Sequence, residues 1–316
     1  MMEKMQNEDV PFLKKWLTAM RPWALPASTM PVIFGTSLAV VLGQASLDIL
    51  KFVLALLAMM ILHSAANILS DVFDFKRGLD KMVTPVSGAI VRGWITTKQA
   101  AVFSVALFVI GSALGLTLVL MTGTILLIIG GVGVFIGVFY AGLKYHALGD
   151  LAVFLNFGIL GSLGAWVVQT NSFSWIPVFW TVPMAMLVSA ILHANNWRDA
   201  SSDTERKVTT VASLFGDKGS LSYYAFLIFG PFVFVVGLIL VPRLISGQFT
   251  AMPWTFFVVL LGLPSALKLW GRGMRRHTPR QPMDFIILDG ATAQHNLVFG
   301  LLCTAAVWLQ FILKLK

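Results

Sequence analysis

The 316-residue sequence predicts an all-α fold: an integral membrane bundle of nine transmembrane helices with its N-terminus in the cytoplasm. Three observations predict it. Hydrophobic residues make up 57% of the chain and charged residues 12%, whereas a soluble domain carries about 25% charged residues. Nine apolar stretches approach the roughly 20 residues that cross a bilayer as a helix. Lys and Arg collect on one side of those stretches.

The stretches run over 24–44, 49–70, 99–120, 123–142, 148–169, 176–196, 221–241, 253–271 and 293–313. Residues 1–23 precede them as a polar, amphipathic cytoplasmic segment. They have no apolar core ahead of a small-residue cleavage site, so no cleavable signal is expected. Residues 1–316 are read as one domain. The first stretch follows Arg21-Pro22, and the second ends in a run of Asn and Asp. The third and fourth hold Gly111 with Gly115 and Gly133 with Gly137, a small-xxx-small spacing that lets helices approach closely. The fourth ends at Tyr140, Lys144 and Tyr145, and the sixth in a second polar run. The ninth contains Cys303, the lone cysteine, which has no internal disulfide partner and reads as a small packing residue.

Charge orients the bundle. With the N-terminus inside, every Lys and Arg except Lys51, Arg243, Lys314 and Lys316 falls on the cytoplasmic side. This is the positive-inside pattern. The net charge of +9 is then topogenic, and nucleic acid is not expected as a partner. Every acidic residue except Asp48 falls on the same side. The loops after the second, sixth and eighth stretches are the long ones. Chemistry is therefore expected on the cytoplasmic face, under a cap made of residues 71–98 and 197–220.

Two acidic clusters stand out, because an ionised carboxylate near hydrocarbon costs several kcal/mol. The first is Asn67-Ile-Leu-Ser-Asp71-Val-Phe-Asp74, followed by Asp80; the second is Asn195-Asn196-Trp-Arg198-Asp199, followed by Asp203. Asn67, Asp71 and Asp74 recur at i, i+4 and i+7, and Asp199 and Asp203 at i, i+4, so each set shares a helix face. Four helices separate the clusters, as in an internal pseudo-repeat with one acidic helix end per half.

Opposed across a cavity, these oxygens suit Mg²⁺, which binds through one or two carboxylates plus substrate phosphate oxygens. His63, His146, His193, His277 and His295 are scattered, with no Cys/His cluster for zinc. A metal-bound diphosphate also needs cationic partners. Candidates are Arg21, Lys76, Arg77, Lys144, Arg198 and Lys207, with Arg198 and Arg21 favoured by position. A diphosphate with a polyprenyl tail fits the bilayer setting: head at the cytoplasmic mouth, tail along apolar helices. Ionisation of its allylic C–O bond creates a cation that Tyr140 and Tyr145 could stabilise by cation–π attraction.

These segments resemble the UbiA superfamily of intramembrane prenyltransferases, and within it the dihydroxynaphthoate enzymes of the menaquinone branch. The resemblance rests on Arg21-Pro-Trp-Ala-Leu-Pro-Ala, Asp71-Val-Phe-Asp-Phe-Lys-Arg-Gly-Leu-Asp80 and Tyr145-His-Ala-Leu-Gly-Asp150. Asn195-Asn-Trp-Arg-Asp199, Thr292-Ala-Gln-His295 and Phe299-Gly-Leu-Leu302 extend it to the end of the chain. Two departures stand out: Ser70 replaces an Asn, and a Gly-Lys pair before Thr209-Thr210 is missing.

The resemblance implies a Mg²⁺-dependent prenyl transfer to an aromatic ring. Asn67, Asp71, Asp74, Asp199 and Asp203 would hold two Mg²⁺, with Asn195 and Asn196 at the diphosphate. Arg21, Lys144, Arg198 and Lys207 would neutralise it, and Asp80 and Asp150 would serve the acceptor's hydroxyls. Polyprenyl diphosphate and an aromatic acceptor are the implied substrates, in the cell's inner membrane. The alternatives are the same chemistry on 4-hydroxybenzoate, homogentisate, a prenylglycerol phosphate or a porphyrin derivative, and a cation-coupled transporter. Transporter sites lie nearer the bilayer midplane than these helix ends.

Overall fold

A computed structural model describes residues 10–79, 83, 88–245, 250–276 and 288–313. Asp80 and His277 lie outside the described residues, as does part of the expected 71–98 cap. Every regular element among the described residues is helical: α1 (Phe12–Met20), α2 (Pro26–Val41), α3 (Ile49–Lys76), α4 (Thr97–Thr122), α5 (Thr124–Lys144), α6 (Gly149–Val153), α7 (Gly161–Thr170), α8 (Trp175–Trp180), α9 (Val182–Glu205), α10 (Val211–Leu244), α11 (Leu263–Met274) and α12 (Leu288–Leu313). A π-turn over Phe154–Leu160 joins α6 to α7, and a 3₁₀ segment over Trp254–Gly262 leads into α11.

Seven of these units are long and apolar enough to cross a membrane: α3, α4, α5, the Gly149–Thr170 unit, α10, the Trp254–Met274 unit and α12. An eighth arises if Phe12–Ala24 and Pro26–Val41, bent by 55°, count as one span. The chain is therefore a multi-pass membrane protein. The sixth expected stretch is divided at Thr181 between α8 and α9. The second half of α9 carries Asn195, Asn196, Arg198, Asp199 and Asp203, which lowers its apolarity below that of the other long helices.

Local chemistry sets the helix starts. Asp48 caps α3 by accepting from the Lys51 amide at 3.0 Å. Thr96 with Gln99 and Thr210 with Ser213 form capping boxes on α4 and α10, each satisfying amides that a helix start leaves unpaired. α10 breaks at Gly216, whose φ of 63° suits a residue without Cβ.

α3 packs on α4, α9 on α10, and α2 on α7 and α12. The main core joins Phe34, Trp166, Trp180, Phe232, Phe256 and Phe299. Hydrocarbon is as apolar as these side chains, so close packing rather than exclusion of water holds such helices together. Gly158 in the π-turn illustrates it: a Cβ there would stand 2.8 Å from Ala185 Cα, so only glycine lets this turn press on α9. Leu120, Ile128, Val233 and Leu261 cover the outer surface and are exposed, as lipid-facing residues should be. Cys303 is buried in the core, as expected of a packing residue.

The small-xxx-small glycines do more than pack. Gly111 fits against Leu62, where a Cβ would come within 2.7 Å, but Gly115 faces open space. All four expected glycines line an apolar cavity of about 350 Å³ that reaches Leu62, Phe157 and Asn156.

Candidate active site

The C-terminal turns of α3 present Asp71 and Asp74, both buried. Arg21 occupies the left-handed conformation that ends α1 ahead of Pro22; the proline disfavours the helical alternative for the residue before it. The Arg21 side chain reaches across to α3, with Nη2 donating to Asp71 Oδ1 at 2.6 Å. The cap closes over this pair at Gly88, where a Cβ would stand 2.6 Å from Asp71 Oδ2 and 3.9 Å from Arg21 Nη2.

Asp74 meets a second set of groups. Lys144 Nζ, at the end of α5, donates to Oδ2 at 3.0 Å. The Tyr145 hydroxyl donates to Oδ1 at 2.8 Å. Ser70 Oγ lies 3.5 Å from Oδ2, so the residue that departs from the family pattern still faces the carboxylate. The Arg77 guanidinium stacks on the Tyr145 ring at 4.1 Å. Burial pushes the Tyr145 phenol well above the ordinary tyrosine range, and the adjacent Asp74 charge adds to it. The phenol is therefore a neutral donor at working pH. Half-buried Tyr140 lies within reach of the charges on Lys144, Asp74, Asp150 and Arg21.

The second motif joins the first through Lys144. Asp203, buried near the end of α9, acts electrostatically on the same ammonium as Asp74. Backbone pairing holds the two loops together: Ala147 N donates to Thr209 O at 2.7 Å and Thr209 N to Tyr145 O at 3.2 Å. Asp199 has a different environment. Arg198 grips it with two bonds of 2.9 and 2.8 Å, and also donates to Asn195 Oδ1 at 2.7 Å and Asp289 Oδ2 at 3.1 Å. Arg198 thus holds Asp199, whereas Asp203 acts on Lys144. Asn196 is buried, and Lys207 is exposed with a positive φ of 58°. Lys76 is exposed.

Asp289 and Gly88 are additions to the expected set. Asp289 had a signal, because it precedes the last apolar stretch on the same side as the acidic clusters. Gly88 had none, since its contribution is a missing Cβ in a polar loop.

The donor chemistry fits Mg²⁺. Among the described residues, no three carboxylate, imidazole or thiolate groups form a ready-made metal cage. Mg²⁺ does not demand one, since it usually takes one or two carboxylates and completes its shell with water and phosphate. The Asn67 amide nitrogen is buried without a hydrogen bond. Half a turn of that amide presents an oxygen instead, one turn before Asp71.

Fold and site together define a multi-pass membrane protein that gathers buried carboxylates and cations at the ends of apolar helices. The chain belongs to the UbiA prenyltransferase family, whose model matches residues 28–298, and it is an enzyme, a transferase of prenyl groups. It is 31% identical over 296 residues to 1,4-dihydroxy-2-naphthoate octaprenyltransferase from Bacillus subtilis (strain 168), covering 92% of this chain and 91% of that one. It is 31% identical to the UbiA prenyltransferase domain-containing protein 1 homolog from Drosophila melanogaster, covering 93% and 79%. A UbiA homolog from Aeropyrum pernix K1, solved in its apo form, shares the fold with a TM-score of 0.64 at 15% identity over 90% of this chain and 97% of that one. A UbiA homolog from Archaeoglobus fulgidus, solved bound to GPP and Mg²⁺, does so with a TM-score of 0.62 at 15% identity over 93% and 99%. Membership in a transferase family sets the transporter alternative aside.

Proposed function

We propose that this enzyme transfers a polyprenyl group from polyprenyl diphosphate to 1,4-dihydroxy-2-naphthoate with loss of CO₂, giving demethylmenaquinol. The observation that carries the site assignment is the convergence of Asp74 and Asp203, one from each acidic motif, on Lys144. The B. subtilis relative supports the acceptor. The Mg²⁺- and GPP-bound neighbour supports the metal and the diphosphate.

Asn67, Asp71, Asp74, Asp199 and Asp203 would hold Mg²⁺, two ions in this reading. The metal supplies Lewis-acid stabilisation of the departing diphosphate. Arg21 and Lys144, now paired with Asp71 and Asp74, are placed to take up diphosphate charge as it develops. Arg198, Asn195 and Asn196 flank the same helix end, and Lys207 sits on the loop beyond. The donor's tail would run into the glycine-lined cavity: Leu62 lies less than two turns before Asn67, and the Phe157 ring, tilted against His63, lies 4.2 Å from it. Tyr140 would face the allylic cation. The acceptor's ring carbon bearing the carboxyl group bonds to the prenyl carbon, the C–CO₂ bond breaks, and CO₂ and diphosphate leave. The positive-inside pattern supports a cytoplasm-facing site in the inner membrane, with the N-terminus inside and nine spans.

The test is a membrane assay with Mg²⁺, a polyprenyl diphosphate and dihydroxynaphthoate, run beside 4-hydroxybenzoate, homogentisate, a prenylglycerol phosphate and a porphyrin acceptor. A prenylated naphthoquinol from the first acceptor alone supports the proposal. Product from another acceptor alone would replace the acceptor and keep the chemistry.

A further inference from the structure

A second cavity, of about 1570 Å³, lies between the α6 region, α8, α9 and α10. It begins at Asp150, Ser189 and Tyr223 and ends at Val241, Ile245 and Thr250. Along α10 alone, Tyr223 to Val241 spans about 27 Å, close to the roughly 30 Å of a bilayer's hydrocarbon core. Its rim includes Phe226 and Val233, both strongly exposed to the lipid side. The cavity is therefore a trough open sideways to the bilayer, apolar between its head and Ser174 and Thr250 at the far end.

The head is built around one carboxyl group. Asp150 is 4% exposed, and neither of its oxygens is tightly hydrogen-bonded. Its backbone is held by Ser189 Oγ, which donates to Asp150 O at 2.9 Å. His193 Nδ1 stands 3.5 Å from Asp150 Oδ2. His193 Nε2 lies 3.2 Å from Ser220 O; a carbonyl can only accept, so Nε2 carries a proton. The Tyr223 phenol faces Asp150 across the mouth of the trough and is a hydrogen-bonding partner for it there. A buried carboxyl so loosely held keeps hydrogen-bonding capacity that a ligand would take up.

The surroundings say which ligand. Among the described residues, the trough's lining holds no Lys or Arg, so a diphosphate or a carboxylate would meet Asp150 with no lysine or arginine to offset the repulsion. A neutral hydroxyl both donates and accepts, and pairs with Asp150 in either protonation form. The length and apolarity beyond the head call for a long hydrocarbon tail. Both substrates carry the wrong head, whereas the product has lost diphosphate and carboxylate alike.

We propose that this trough binds the prenylated quinol formed by the reaction, with a ring hydroxyl on Asp150 and the tail along α10, and releases it sideways into the bilayer. The assignment of that lipid as product rests on the function proposed above. His193 and Tyr223 act as positioning residues for Asp150.

The test uses the purified full-length protein in nanodiscs with 2-geranyl-1,4-naphthoquinol as probe, its oxidised quinone as control, and calorimetric titration. The expected result is that the quinol binds at least tenfold tighter than the quinone, which has no hydroxyl, and that Asp150→Asn loses at least tenfold of that affinity. Gly237→Trp is a second variant. A Cβ at Gly237 meets no atom within 4 Å, so the indole fills the trough without disturbing the helix. It should weaken quinol binding at least tenfold and leave Mg²⁺-dependent geranyl diphosphate binding unchanged. Equal quinol affinity in wild type and Gly237→Trp, or no quinol binding by wild type, overturns the proposal. If the acceptor assay gives no naphthoquinol but this binding pattern holds, the acceptor assignment fails and the trough remains a site for neutral hydroxyl-headed prenyl lipids.

Discussion

Lys144 Nζ donates to Asp74 Oδ2 at 3.0 Å, and the same ammonium feels the charge of Asp203. One lysine at the end of α5 thus ties together acidic helix ends that lie more than a hundred residues apart in sequence. Replacing it with an apolar residue of similar length isolates this tie. Lys144→Met should lower kcat/KM for the prenyl diphosphate by on the order of 100-fold, the usual effect of removing one preorganised charge stabiliser. Lys144→Arg should recover part of it. Steady-state kinetics in detergent decide the point, and near-wild-type Lys144→Met activity would break the assignment.

Tyr145→Phe removes a single hydroxyl and keeps the ring that Arg77 covers. The lost bond runs to a carboxylate, so the variant should be less stable by about 1.5–3 kcal/mol, measured by thermal unfolding in detergent. The pH dependence has a definite sign. The folded phenol holds its proton beyond the ordinary value, because burial and Asp74 both disfavour its anion. Its stabilisation is therefore complete below about pH 10, where an unfolded tyrosine begins to ionise, and declines as pH rises through the folded value. Wild type should lose more stability than Tyr145→Phe above about pH 10.

Gly88→Ala tests the cap. The added methyl would come within 2.6 Å of Asp71 Oδ2, so either the loop lifts or Asp71 turns from Arg21. Activity should fall roughly tenfold or more, on the scale of losses from small misplacements near a reacting centre, with little change in unfolding temperature. Unchanged kinetics would show that the loop yields freely.

Arg198 and Asp289 join α9 to the first turn of α12. A double-mutant cycle of Arg198→Ala and Asp289→Asn should reveal a coupling of about 0.5–3 kcal/mol in stability, the range for residues sharing a polar network. Strict additivity would reduce the contact to a surface coincidence.

Much of this site was readable in the sequence. Asn67, Asp71 and Asp74 declared a common face through spacing, and Arg21 and Lys144 declared themselves by lying at helix ends on the same side. Ser70 looked like a weakness and turns out to face Asp74. What spacing could not reveal was competition. Arg198 and Asp199 are adjacent, and their bidentate pairing follows from side-chain conformation rather than periodicity. The break at Thr181 between α8 and α9 was hidden inside a continuous apolar run. Asp289 needed the fold to bring a residue 91 positions from Arg198 into contact. The trough at Asp150 was invisible because a cavity is a property of helix packing, not of any stretch of chain.

The central claim is tested most directly by the mass of the lipid made in membranes from dihydroxynaphthoate and polyprenyl diphosphate, with wild type, Asp71→Ala and Asp74→Ala compared in the presence and absence of Mg²⁺. The account predicts a prenylated naphthoquinol, lighter than the simple adduct by one CO₂. It should form only with Mg²⁺ and be reduced by at least 100-fold in both variants. Full activity in either variant, or product formation undiminished by chelation of Mg²⁺, would contradict it.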